Sequence, residues 1–198
     1  MQFVLGILEE RLDEKNAAYV ADVKEEIVLM SKLISEMLAY SKAGMKTPQV
    51  SLEKIRLRPL VERAVEREKA TETADVKIAV ADNVEVHAQP ELLSRAIANV
   101  VRNVVRDAGQ AGEIRIAATN GNNQVQIEIA GDGAGVSAES LEKMFDPFYC
   151  VESDRARQTG GTGLGLAIVK TCVEACQGTV SARNREPKGL AVIITLKS

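Results

Sequence analysis

The sequence predicts an α+β protein: an α/β sandwich in which a mixed sheet carries helices on one face, preceded by an α-helical hairpin. Three observations predict it. Apolar residues recur at spacings of three and four through residues 17 to 43, and from residue 50 onward short alternating runs are interleaved with helical ones. The third is the run Gly160-Gly161-Thr162-Gly163-Leu164-Gly165-Leu166-Ala167-Ile168-Val169, which joins a glycine-dense loop to an apolar helix start. Glycines let the main chain approach an anion closely, and the free N–H groups of a helix N-terminus supply positive potential.

The 198 residues suffice for one ordinary domain with an appendage, or for two small ones. With 27% charged and 45% hydrophobic residues and a net charge of -3, the balance is that of a soluble globular protein with no basic field for nucleic acid. Aromatic residues are 3% and Trp is absent, which removes stacking platforms for single strands, weakens any membrane-interface reading and leaves an aliphatic core. No apolar stretch approaches the roughly 20 residues that cross a bilayer, and no signal-like segment opens the chain, so a cytoplasmic location is expected. Cys150, Cys172 and Cys176 are odd in number and lack a CxxC pair, which disfavours a disulfide framework or a zinc site. Cys172 and Cys176, four apart on a predicted helix, are expected to be buried packing.

Phe3, Leu5, Ile7, Leu8 and Leu12 suggest the end of a helix, and Asp13-Glu14-Lys15-Asn16 is a polar connection. A second helix, residues 17 to 43, carries Val20, Val23, Ile27, Met30, Ile34 and Met37 as a heptad seam, and Gly44 with Pro48 ends it. Residues 1–46 thus form a helical hairpin too short to bury its seam alone, which points to a homodimeric bundle, the alternative being that the stripe packs on the chain's own globular domain. Residues 50–198 form the α+β domain. Val50 to Leu57 is expected as a strand and Pro59 as an early residue of a helix through Leu60, Ala64 and Val65. Val76, Ile78 and Val80 alternate as a strand, and Val84 and Val86 make another. Pro90 opens a helix that is apolar on more than one side and so largely buried. Strands Ile114 to Ala118 and Val125 to Ile129 flank the turn-rich Asn120-Gly121-Asn122-Asn123. Past the loop at 131 to 162 come a helix from Gly163 to Cys176 and strands Thr179 to Ala182 and Ala191 to Leu196.

Four stretches carry the chemistry. Asn99 and Asn103 lie one helical turn apart with Arg106 three residues on, so all three can share a face. A buried helix seldom spends two amides and a guanidinium on one stripe without partners. Gly131-Asp132-Gly133-Ala134-Gly135 follows a strand, Phe145-Asp146-Pro147-Phe148-Tyr149 gathers three of the aromatics, and the glycine-rich run comes last.

This order resembles the ATP-binding domain of the sensor histidine kinases of two-component systems (HATPase_c, or GHKL, with a Bergerat-type fold). That family shares its fold with the gyrase and large heat-shock chaperone ATPases. The resemblance covers about residues 50 to 198 and all four family boxes, and the preceding segment looks like a truncated dimerisation and phosphoacceptor hairpin. It implies ATP and Mg2+ as cofactors, with Asn103 as the metal ligand and Asn99 on the same phosphate side, an amide oxygen being a suitable hard ligand. It further implies Arg106 near the phosphates, Asp132, Gly133 and Gly135 in a loop wrapping the nucleotide, and Arg155 and Arg157 in the family's lid, where a guanidinium meets the γ-phosphoryl. Gly161, Thr162, Gly163, Leu164, Gly165 and Leu166 would give backbone contacts to the phosphates.

The sequence departs from the family in two places. The phosphoacceptor histidine is missing, since the only histidine is His87 at the edge of a predicted strand. It is expected upstream of Met1 in a longer, membrane-anchored parent. The carboxylate that reads the adenine amino group is replaced by Gly131, with Asp132 one residue later. The resemblance therefore implies the core of a histidine kinase that signals to a response-regulator receiver domain. The alternatives are a non-catalytic docking module with weak or no nucleotide binding, and a standalone ATPase. Position 99 holds Asn rather than a water-activating Glu, which counts against the latter.

Overall fold

The protein's structure, a computed structural model, describes residues 50–69, 75–108, 113–151 and 162–198, together with scattered helical positions between Tyr19 and Ser41. The chain divides into two compact units, Met1–Ala39 and Tyr40–Ser198. In the first unit the described residues are helical, and Tyr19, Val23, Val28, Met30, Ile34, Met37 and Leu38 leave their side chains exposed. The predicted first helix of the hairpin, its polar connection and the stop at Gly44 lie outside the described residues.

The second unit runs β1 (Glu53–Arg56), α1 (Leu57–Lys69), β2 (Asp75–Ala79), β3 (Glu85–Ala88), α2 (Pro90–Ala108), β4 (Glu113–Gly121), β5 (Gln124–Gly131), α3 (Ala138–Lys143), α4 (Gly165–Ala175), β6 (Thr179–Asn184) and β7 (Leu190–Lys197). Five strands form one sheet in the order β2-β4-β5-β7-β6, and β1 pairs antiparallel with β3 in a small second sheet. In the main sheet β2 runs parallel to β4 and every other pairing is antiparallel. This is the mixed sheet with helices of the predicted α+β fold.

Alternation sorts each strand between the two faces. Ile114 and Ile116 of β4 pair with Gly131 and Ile129 of β5, and with Val125, Ile127, Val192 and Ile194 they are fully buried under the helices. Glu113, Arg115, Gln124 and Gln126 alternate with them and stay exposed. A two-residue turn at Asn122 and Asn123, both with positive φ (48° and 59°), joins β4 to β5. Their short polar side chains tolerate that conformation, and its twist matches the flanking strands.

α2 is the central helix. Pro90 stands where no intrahelical N–H is needed, and the Gln89 side-chain oxygen accepts the Leu92 N–H at 2.7 Å as a cap. Leu93, Ala96, Ile97, Val100, Val101 and Val104 recur at helical spacing and are each no more than 1% exposed. Sheet, α1 and α4 cover α2, as its apolar breadth predicts.

Most strand ends shift by a few residues from expectation, β1 for instance starting at Glu53 rather than Val50, and two boundaries differ for a visible physical reason. Leu57 is not the last residue of a strand but the first of α1, fully buried with its N–H donating to the Val84 carbonyl at 3.0 Å. One leucine serves both as the end of a β-like run and as the first apolar contact of a helix, so sequence alone does not divide them. α4 begins at Gly165 rather than Gly163, because Gly163 takes φ +70°, outside the right-handed helical region.

Cys172 in α4 and Cys176 at its C-terminal cap are buried, and neither forms a disulfide. Burial pushes the Cys172 thiol up to about 11 from 9.0 and raises that of Cys176 as well. A group whose ionisation is delayed in the folded state loses stability as pH rises from its unfolded to its folded value. Stability is therefore expected to fall between about pH 9 and about pH 11, and Cys172→Val to remove part of that fall. Urea unfolding of parent and variant at both ends of this window checks it, and equal losses would contradict it.

Candidate functional site

α2 brings its polar stripe to the start of α4. Asn99 is only 9% exposed, and its amide is held at both ends: Nδ2 donates to the Arg95 carbonyl at 2.9 Å, and Oδ1 accepts from Arg102 Nη1 at 3.4 Å. Arg102 in turn makes a two-pronged ion pair with the nearly buried Glu68 of α1, at 2.8 and 2.9 Å. This network fixes an amide oxygen that would otherwise rotate. Asn103 lies one turn further along α2 and is half-buried. The Arg106 side chain, Arg155, Arg157 and Gly161 lie outside the described residues.

The glycines at the bend have different physical reasons. A Cβ at Gly163 would sit 2.5 Å from the carbonyl carbon of Phe148, and φ is +70°, so only glycine fits. Its carbonyl accepts the Phe148 N–H at 3.0 Å. Phe148 itself holds φ +65° and is 63% exposed, an uncommon conformation for a bulky residue. The aromatic stretch and the glycine bend are thus joined at Phe148 and Gly163. Close by, Tyr149 and Ser140 share a hydroxyl hydrogen bond of 3.1 Å.

Gly165 is another case. Among the described residues a Cβ there would meet only Asn99 Oδ1, at 3.7 Å, so these residues would accept a side chain. The first turn of α4 has no side-chain cap and no acidic residue. Its leading N–H groups thus lie beside the Asn99 amide oxygen. Thr162 Oγ1 accepts the Leu164 N–H at 3.3 Å, the Leu164 side chain is buried, and Leu166 is half-buried.

The loop after β5 begins at Gly131, which is buried and pairs with Ile114 and Leu190. Alternation puts position 131 on the helix-covered face with Ile127 and Ile129. Asp132 follows it, and its Oδ1 is the buried side-chain oxygen with no hydrogen-bond partner among the described residues. Gly133 is buried, and Gly135 holds φ +75°.

Residues 88–198 match the family model of histidine kinase-, DNA gyrase B- and HSP90-like ATPases. The chain belongs to that family. It is similar to the sensor protein kinase WalK of Staphylococcus haemolyticus, 28% identical over 203 residues that cover 99% of this chain and 33% of the relative. It thus spans about a third of that relative's length. Its fold is similar to that of full-length ShkA in complex with AMPPNP, with a TM-score of 0.74, 22% identity, and coverage of 93% of this chain and 39% of that one. It is also similar to histidine kinase ThkA in complex with the response regulator TrrA, with a TM-score of 0.72, 21% identity, and coverage of 98% and 56%.

Three features of this ATPase-family chain fit a nucleotide. They are the start of α4 with no side-chain cap, the Asn99 amide oxygen 3.7 Å from the Cβ position of Gly165, and the Asp132 oxygen, which has no donor among the described residues. Among the described residues no group of three or more His, Cys, Asp or Glu could hold a metal ion. A divalent cation here would rest on the Asn103 amide oxygen and on phosphate oxygens. His87 is engaged elsewhere: on β3, its Nδ1 lies 3.0 Å from the Ser198 carbonyl oxygen. Sequence reasoning missed Glu68, Arg102 and the contacts of the β6–β7 turn. Glu68 and Arg102 lie 34 residues apart on different helices, and no local pattern signals such a pair.

Gly163→Ala is expected to destabilise the fold by about 2 kcal/mol or more through backbone strain and overlap. Gly165→Ala should leave stability unchanged or raise it by up to about 1 kcal/mol through helix propensity. Asp132→Ala, which removes an unsatisfied buried oxygen, should not lower the unfolding midpoint of the ligand-free chain. Thermal melts of the three variants check this; a Gly165→Ala loss as large as that of Gly163→Ala would contradict it.

Proposed function

We propose that the chain is the catalytic core of a two-component sensor histidine kinase. In this reading it binds Mg-ATP and, within a longer protein, transfers the γ-phosphoryl group to a histidine that passes it to a response-regulator receiver domain. The observation that carries the reading is the Asn99 amide oxygen 3.7 Å from the empty Cβ position of Gly165, at a helix start with no cap. The AMPPNP complex of ShkA and the TrrA complex of ThkA support the nucleotide and the regulator as ligands.

Bound ATP supplies the transferable phosphoryl group, with Mg2+ neutralising its oxygens. The chain's own part is positioning and electrostatics. The amides at the start of α4 hold the phosphate chain, Asn103 gives its oxygen to the cation, and Asn99, fixed by Arg95 and Arg102, lines the same side. Arg106, Arg155 and Arg157 neutralise the transferring charge. Asp132, Gly133 and Gly135 form the loop that wraps the nucleotide, with the Asp132 oxygen unpartnered among the described residues. The exposed stripe from Tyr19 to Leu38 favours a second copy as partner, through a homodimeric bundle of residues 1–46 followed by the ATP-binding domain at 50–198. In this reading the chain is the cytoplasmic core of a longer parent anchored in the inner membrane; no helix among the described residues is long and apolar enough to cross a membrane.

Gly131 favours a second reading, a docking module without turnover. A missing charge-assisted hydrogen bond to the base costs about 1.5–3 kcal/mol, or roughly ten- to a hundredfold in affinity.

Calorimetric titration with Mg-ATP tests the proposal. Binding is expected, weakened about tenfold or more in Asn103→Ala and lost in Gly165→Ala despite its intact fold. Gly131→Asp should tighten binding by about ten- to a hundredfold. No heat from either the parent or Gly131→Asp would refute the kinase reading.

A further inference from the structure

The β6–β7 turn grips the loop that carries Asp132 at both of its ends. At the far end one side chain satisfies both main-chain groups of Val136: Asn184 Oδ1 accepts the Val136 N–H at 3.0 Å, and Asn184 Nδ2 donates to the Val136 carbonyl at 2.7 Å. A carboxylate could take the first bond but would repel the carbonyl in the second, and a hydroxyl is too short to bridge both. At the near end Arg185 Nη1 donates to the Gly131 carbonyl at 3.2 Å, and the Arg185 N–H donates to the Gly189 carbonyl at 2.8 Å.

Two glycines make these contacts possible. A Cβ at Gly189 would lie 2.1 Å from the Gly131 carbonyl oxygen, and one at Gly135 would lie 2.9 Å from Asn184 Oδ1 and 3.2 Å from the Gly189 carbonyl oxygen. Both hold positive φ, +114° and +75°. The shape of Gly135 is therefore set by Asn184 and Gly189 from within the fold. Between the two grips lie Asp132, with its orphaned oxygen, and the buried Gly133.

From this geometry we infer that Asn184 is a positioning residue for nucleotide binding: through Val136 it fixes the path of residues 132–135, the loop that wraps the base side of the nucleotide. The inference rests on the nucleotide-binding reading above and extends the site to a turn that no glycine or asparagine motif of the sequence marks. Asn184 itself touches no nucleotide. Its effect falls on the base side of the ligand rather than on the phosphate chain held by α4.

The test uses the full chain with Asn184→Ala, and with Arg183→Ala as control. Arg183 precedes Asn184 on β6 but pairs with Glu128 at 2.8 Å on the sheet surface. Two probes are titrated calorimetrically: Mg-ATP, and Mg-tripolyphosphate, which carries phosphates without a base. Amide hydrogen exchange at Val136 is followed without ligand. Asn184→Ala is expected to speed exchange at Val136 by about tenfold and to weaken Mg-ATP by about tenfold, with Mg-tripolyphosphate changed by less than about twofold. Arg183→Ala should change none of these. Mg-ATP affinity unchanged in Asn184→Ala, or both ligands weakened equally, overturns the positioning role alone. A parent chain that takes up neither ligand overturns the nucleotide-binding reading and the positioning role with it.

Discussion

The approach of α4 to α2 is the constraint on which the rest of the site depends. α2 can occupy the middle of the domain because it is apolar over most of its circumference, with sheet, α1 and α4 against it. Asn99 interrupts that apolar surface at a cost that the Arg95 carbonyl and the Arg102 guanidinium offset. Gly165 then lets the first turn of α4 stand beside the Asn99 amide with room to spare. A larger residue at 165 would fill the space, and an aliphatic residue at 99 would leave it without a polar wall.

The glycines of the bend divide the labour between fold and ligand. Gly163 is required by the chain itself, because it is locked against Phe148 with positive φ. Gly165 has no such obligation among the described residues, where a Cβ would meet only the Asn99 amide oxygen. A similar division separates Gly135, shaped by Asn184, from Asp132, whose buried oxygen nothing in the described residues satisfies. Unsatisfied buried oxygens are rare in folded proteins, so the Asp132 oxygen stands apart from the rest of the described polar groups.

Much of this was legible in the sequence because the signals are local. The strict alternation at Ile114, Ile116, Val125, Ile127 and Ile129, the breadth of the α2 apolar surface and the asparagines of the hairpin turn each state their structure within a few residues. The start of α1 was not legible, since Leu57 satisfies the pattern of a strand end and of a helix start alike. Nor was the distinction between Gly163 and Gly165, which depends on a carbonyl fifteen residues away in sequence and on an amide of another helix. The pairing of Glu68 with Arg102 and the grip of Asn184 on Val136 are contacts between distant segments whose residue types are ordinary surface choices. Long-range polar pairs of this kind leave no periodic trace.

The most direct measurement is paramagnetic relaxation by Mn2+ on the amide-labelled chain, with and without ATP. If α2 and the start of α4 together hold a triphosphate and its metal, Mn-ATP broadens the side-chain amide signal of Asn103 and the backbone amides of Gly163 to Gly165 at the same ratio of ligand to protein, and Mn2+ alone does not. Broadening of one group without the other, or equal broadening by the free cation, would contradict a shared site.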